Sequence, residues 1–368
     1  MRRHLTVACA TLVLLANGGL AAAQDTELPQ IPQTLRAGQP CTAPSGKKIP
    51  SAPWQLPYLG ADRLWSLSTG AGVTVAVVDT GVDTSVLPAD AAGEAGTDCV
   101  GHGTVVASLI AAPPASGISG LAPGARVLAV RGTDKFGAAT AAGIAGALDA
   151  AVSAGVRIIC VAAAVTEADP VLRQAVDRAI AAGALVVAAA GRDLTTARDV
   201  PPGPYYPAAF PGVLAVTAIG PDGKGTPVPG ALAAPGNLVV GKGPGGGQVV
   251  GAGPAFAAAH VAAAAALIRS YRGEVTAADL ARRLRDTASP QAGGPVLDPL
   301  AALTSAATTD GAATVRREPV AVLPLPDVAP VRQSAFAVVG GVLVAVCLLG
   351  AAAVVVPRGR RRGWRAGR

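Results

Sequence analysis

Two residues combine side-chain type and setting in a way that suits proton-transfer chemistry. Asp79 ends the run Gly72-Val-Thr-Val-Ala-Val-Val-Asp79 and precedes the turn Thr80-Gly81. That is the pattern of a buried parallel strand with a functional residue at its carboxyl end. His102 stands in Gly101-His102-Gly103-Thr104 and opens the apolar stretch that runs to Ile110, in the first turn of a helix. A buried carboxylate on one imidazole nitrogen fixes the ring's tautomer, and the other nitrogen can then take a proton from a nucleophile. No serine lies between Ser153 and Ser270 to serve as that nucleophile.

The elements that must position such a pair alternate along the chain. Gly72–Asp79 is a strand and His102–Ile110 a helix. Val127–Arg131 is a strand, Ala138–Ala154 a helix, Val156–Ala163 a strand and Pro170–Ala182 a helix. Ala184–Ala190 and Val213–Ile219 are further strands. This alternation predicts an α/β fold built on an open, mostly parallel sheet with helices on both faces. The stretch Gly251–Ile268 is the predicted centre. Pro254 suits the first helical position, and from Ala255 to Ile268 only His260 is polar. A helix apolar all round is buried on all sides, which makes His260 a core histidine. At about 14 residues it is too short to span a bilayer. Thr276–Thr287 is an amphipathic helix with Thr276 as N-cap and Asp279 three residues on.

The formal charge of +7 is misleading. Arg2, Arg3 and six arginines after Pro357 account for eight of the 30 basic residues, and the rest of the chain holds 22 basic against 23 acidic residues. A nucleic-acid surface is therefore not expected. Residues 1–23 have the charged start, the apolar run Leu5–Leu15 and the small-residue end Ala21-Ala22-Ala23 of a secretory signal. Ala335–Val356 is uncharged for 22 residues, long enough for a transmembrane helix, and the arginines of 357–368 place the tail in the cytoplasm and the body outside. Residues 24–53 form an extension, 54–304 the folded domain and 305–334 a Pro-rich linker. Cys9 leaves with the signal, and Cys347 lies in the span. In an oxidising compartment Cys41 and Cys99 are the expected disulfide, with Cys160, inside the apolar run Arg157–Val161, a buried free thiol.

Asp79-Thr-Gly, then His102-Gly-Thr, then Gly253-Pro-Ala-Phe-Ala-Ala-Ala-His260-Val261 together resemble the subtilisin-like serine proteases (peptidase S8). Gly120–Val130, Tyr206–Val213 and Leu232–Gly236 are similar to further segments of that family. Within it the mycosin branch of actinobacterial type VII secretion fits best. The similar features are Cys41 ahead of Pro53-Trp54, Asp98-Cys99 just before His102, Asp298–Leu303, and a Pro-rich stem before a terminal span. The resemblance covers nearly the whole chain. It implies that Asp79 and His102 are two members of a catalytic triad, and that the 24–53 extension is too short to be a folding pro-domain.

The same resemblance exposes three departures. Ala255 stands where the family has its nucleophilic Ser. Arg192, in Ala188-Ala-Ala-Gly-Arg192, stands where it has the oxyanion Asn. Ala162-Ala-Ala164 replaces the Ser-x-Gly of the substrate-binding strand. Losing one oxyanion donor alone costs about 10²–10³ in rate, and losing the Ser roughly 10⁶, the latter figure having been measured in subtilisin itself. The expectation is a pseudoprotease, in which Asp79 and His102 persist as a hydrogen-bonded pair. The alternative is an active endopeptidase with a non-standard site. Arg192 beside Asp193 is open to two readings, a handle for a ligand or a solvated surface pair. No cofactor or metal is expected. The partners implied are the type VII secretion membrane complex, the membrane through the terminal helix, and a peptide segment in the degenerate cleft.

Overall fold

The computed structural model describes residues 27–114, 118–193, 203–291, 293–306 and 329–363. The signal segment 1–23, most of the linker and the last five residues lie outside them. The chain divides into a unit ending at Ala306 and a second beginning at Ala307.

The first unit opens with the short helices α1 (Gln55–Tyr58) and α2 (Ala61–Trp65). Then follow β1 (Thr74–Asp79), β2 (Asp90–Ala91), α3 (His102–Ala111), β3 (Arg126–Arg131), α4 (Ala141–Ser153) and β4 (Ile158–Val161). Next come α5 (Pro170–Ala181), β5 (Leu185–Ala189), β6 (Leu214–Ile219), β7 (Leu232–Pro235), β8 (Asn237–Lys242) and β9 (Gln248–Ala252). The unit closes with α6 (Pro254–Arg272), α7 (Ala277–Asp286), β10 (Ser289–Gln291), β11 (Gly294–Val296) and α8 (Pro299–Thr304). Nine strands form one sheet in the order β10-β11-β7-β6-β5-β4-β1-β3-β2, parallel except for β10 against β11. The open parallel sheet and its helices agree with the sequence reading.

Strand alternation sorts the core into two layers. Val75 and Val77 of β1 and Ile158 and Cys160 of β4 pack with α3 and α6 on one face. Ala76 and Val78 of β1 and Ile159 and Val161 of β4 pack with α4 and α5 on the other. Helix α6 is the axis of the first layer, with every residue from Ala255 to Ile268 buried. Its alanines let α3, β4, β5 and β6 pack directly against it. Helix α6 continues four residues past the predicted Ile268, because Arg269–Arg272 reach the rim of the domain and need no apolar pattern. Helix α7 is capped as expected, Thr276 Oγ1 accepting from the Asp279 N–H.

The order of strands reverses at β1, whose neighbours are β3 on one side and β4 on the other. In open α/β sheets the crevice at such a switch point, beyond the carboxyl ends of the strands, is where ligands bind. Asp79 ends β1 there. Residues 27–49 run along the domain as a strap: Ile31 N–H donates to Val250 O and Leu35 N–H to Phe136 O, and Cys41 is disulfide-bonded to Cys99. Cys160 is a buried free thiol.

In the second unit, α9 (Ala329–Arg361) is a single helix that contains Pro357. Its stretch Phe336–Arg361 holds an 18-residue window with a mean hydropathy of 2.7, and is long and apolar enough to cross a membrane.

Candidate functional site

Asp79 and His102 meet at the switch point. The strand delivers the carboxylate, and α3 begins at the imidazole. Between them Gly103 is the reason the histidine can come so close. A Cβ on it would stand 2.1 Å from Gly81 O and 3.0 Å from the Asp79 Cβ. Asp98 fixes the approach from below: it accepts from Thr80 Oγ1, the Gly101 N–H, and the Thr104 N–H and Oγ1. Thr80 Oγ1 in turn accepts from the Gly103 N–H. Burial raises the Asp98 carboxyl above its ordinary range, against these bonds, and the neighbouring Asp79 charge adds to the rise.

His102 Nδ1 lies 2.7 Å from Asp79 Oδ2, and Asp79 Oδ1 accepts from the Thr80 N–H at 2.7 Å. Both side chains are buried. The ring's other nitrogen, the one that would face a nucleophile, is also occupied. His102 Nε2 lies 2.6 Å from Asp193 Oδ2. The second oxygen of Asp193 accepts from the Ala255 N–H at 3.0 Å. The imidazole is therefore clamped between two carboxylates, and one of them bridges it to the start of α6.

Electrostatics follow from that clamp. Burial works against a charged ring, but the Asp79 charge and the Asp193 hydrogen bond outweigh it and hold His102 protonated well above its usual range. Burial pushes Asp193 up, and its bonds to His102 and Ala255 oppose the rise. His102 and Asp193, bonded to each other, titrate as a pair rather than singly.

The other departures fall beside this cluster. Ala255 presents its amide to the site, and its methyl offers no reactive atom. Arg192 is exposed and lines the open cleft of about 440 Å³ that reaches Asp79 and His102. Ala162–Ala164 and the strap residues Gln33–Leu35 line the same cleft. Arg192 and Asp193 thus do not form a surface pair: the first faces the cleft, the second turns inward and is only 7% exposed. The sequence marked Arg192 as the site residue and offered Asp193 only as its surface partner. The available signal was an acid next to Arg192, in a segment already following a buried strand. His260 lies in the core as expected, its Nδ1 2.8 Å from Pro235 O. Among the described residues, no group of three or more His, Cys, Asp or Glu is arranged to hold a metal ion.

Comparison with known proteins agrees with this fold. The sequence model of the subtilase family, peptidase S8, matches residues 70–314. Mycosin-1 of Mycobacterium tuberculosis is 33% identical, over 84% of this chain and 86% of its own length. The crystal structure of MycP1 from Mycobacterium smegmatis superposes with a TM-score of 0.65 at 28% identity, covering 78% of this chain and 93% of that one. A second MycP1 structure, described as a serine protease and an essential component of the type VII (ESX-1) secretion system, gives a TM-score of 0.65 at 30% identity, covering 75% and 96%.

Proposed function

This chain belongs to the subtilase family, and we propose that it is a mycosin-like pseudoprotease that acts as a membrane-tethered scaffold or binding component of a type VII secretion system. The observation that carries the reading is the bond between His102 Nε2 and Asp193. A general base must offer that nitrogen to a nucleophile. Here it is held by an anion, and the residue at the family's nucleophile position is Ala255. Among the described residues, the only groups bonded to the His102 ring are the two carboxylates, so no substitute Ser, Thr or Cys supports the reading of an active endopeptidase. The similarity to mycosins, one of which is described as part of a secretion system, supports the assignment to such a complex. The apolar α9 supports a membrane anchor, and the arginines after Pro357 support a tail in the cytoplasm with the folded unit outside. Residues 1–23 then serve as the secretory signal. The open cleft beside Arg192 is a candidate seat for a peptide segment of a partner.

The test is made in cells that secrete through the system. Deleting Ala335–Arg368 should abolish secretion. A His102→Ala/Asp193→Ala variant, present at wild-type level in the membrane, should support it. If that variant is stable and membrane-bound yet secretion is lost, the scaffold reading is wrong.

A further inference from the structure

Asp193 makes two bonds that a single structural role does not explain. One is a helix cap. The N-cap of α6, Gly253, has no side chain to offer, and Pro254 at the next position has no N–H. The first free donor is the Ala255 amide, and Asp193 Oδ1 takes it from outside the helix at 3.0 Å. A neutral amide or hydroxyl would cap as well. The second bond would not tolerate that exchange: Asp193 Oδ2 sits 2.6 Å from the Nε2 of a ring already bonded through Nδ1 to Asp79. A protonated imidazole is a donor at both nitrogens, so each must face an acceptor, and a buried cation favours an anionic one.

The two donors are spaced as the two oxygens of one carboxylate need them. One oxygen meets a charged N–H, and the other meets an amide at the positive end of a 19-residue helix. The backbone of Gly253 closes the wall, since a Cβ there would come within 2.0 Å of Asp193 Oδ1 and 2.5 Å of its Cγ. No lysine or arginine among the described residues forms an ion pair with Asp193; its countercharge is His102. The site is buried, so its donors would otherwise be unpaired.

We propose that His102 Nε2 and the Ala255 amide form a carboxylate-binding site, and that Asp193 is its resident ligand, supplied by the chain itself. Such a ligand takes the place that the acid product of peptide hydrolysis would hold between the same two donors. It keeps the position between His102 and α6 occupied, as a bound product would, whatever residue stands at 255. The proposal rests on the pseudoprotease reading and adds to it the group that silences the site.

Acetate has the shape of the aspartate side chain beyond Cα, which makes Asp193→Gly in the full chain a direct test. The chain has three histidines, so ¹⁵N-histidine labelling gives a sparse spectrum in detergent micelles. Acetate should bind the Asp193→Gly variant saturably and return the His102 nitrogens to their wild-type shifts and protonation. Chloride at equal ionic strength should not, and acetate should leave the wild type unchanged. In Asp193→Asn the cap survives and His102 should lose its elevated affinity for a proton, which a cap alone would not cause. A second arm reads chemistry. Ala255→Ser alone should resist a fluorophosphonate. Ala255→Ser/Asp193→Gly should react, the introduced Oγ bonding to phosphorus as fluoride leaves and the hydroxyl proton passes to His102 Nε2. Acetate should slow that labelling.

The proposal is overturned if folded Asp193→Gly shows no saturable response to acetate. It is equally overturned if His102 titrates the same in Asp193→Asn as in wild type, or if the single Ala255→Ser variant labels as fast as the double. Labelling of the unmodified chain would instead overturn the pseudoprotease reading, so the two failures are separable.

Discussion

His260 makes the fold sensitive to acid in a way that can be worked out from its surroundings. The ring is buried in the middle of α6, with Nδ1 donating to Pro235 O at 2.8 Å and Nε2 left without a partner. A bare acceptor in an apolar core is tolerable only on a neutral ring. Burial lowers its pKa from 6.5 to about 4, although the Pro235 and Phe256 carbonyls favour the charged form. The folded pKa is depressed for a base, so the neutral folded form is favoured. The associated stability is fully present above the unfolded pKa and is lost as pH falls through 6.5 toward 4. Linkage over that window gives a loss of about 2.5 kcal/mol at pH 4.5 relative to pH 8. That is a large share of the ~5–15 kcal/mol available to an ordinary domain. The assay is urea unfolding of the full chain in detergent, followed by Trp54 and Trp65 fluorescence, for wild type and His260→Gln. Other titrating groups cancel in the difference, so the gap between the two should shrink by about 2.5 kcal/mol between pH 8 and 4.5. Parallel curves, or a His260 resonance that titrates near 6.5, would refute the reasoning.

His102 predicts the opposite sign at the other end of the scale. Its folded pKa is raised, so its stabilisation is fully present below about 6.5 and is lost as pH rises through the raised value. Unfolding at increasing alkaline pH should destabilise wild type more than Asp193→Asn. The Cys41–Cys99 bridge closes a separation of 58 residues and ties the strap to the segment before His102. Removing it as Cys41→Ser/Cys99→Ser should cost roughly 4 kcal/mol in the chain-entropy model, measured by the same unfolding assay, and Cys99 should resist alkylation in the folded, unreduced chain.

The fold was legible where one physical signal dominated. The apolar runs that become β1, β4, β5 and β6 are buried on both faces, and such strands announce themselves. Helix α6 was visible because nothing polar but His260 interrupts it. The short pairs β8–β9 and β10–β11, and the two-residue β2, were not found. Their residues, such as Gly241, Gly251 and Pro290, carry little strand pattern, and tertiary contact defines them. In the site, the family resemblance pointed to Asp79, His102 and Ala255, which the structure brings together around Asp193. Asp193 escaped because no motif includes an acid there. Its role depends on a turn after β5 that brings one carboxylate to both His102 and Ala255, which no local pattern encodes.

The measurement closest to the central claim is fluorophosphonate labelling of the unmodified full-length chain, read by mass spectrometry beside a peptide-cleavage assay. The account predicts no adduct on any Ser, Thr or Cys and no turnover above that of a His102→Ala control. An adduct that forms in wild type and is lost in Asp79→Asn, together with peptide turnover lost in the same variant, would contradict it.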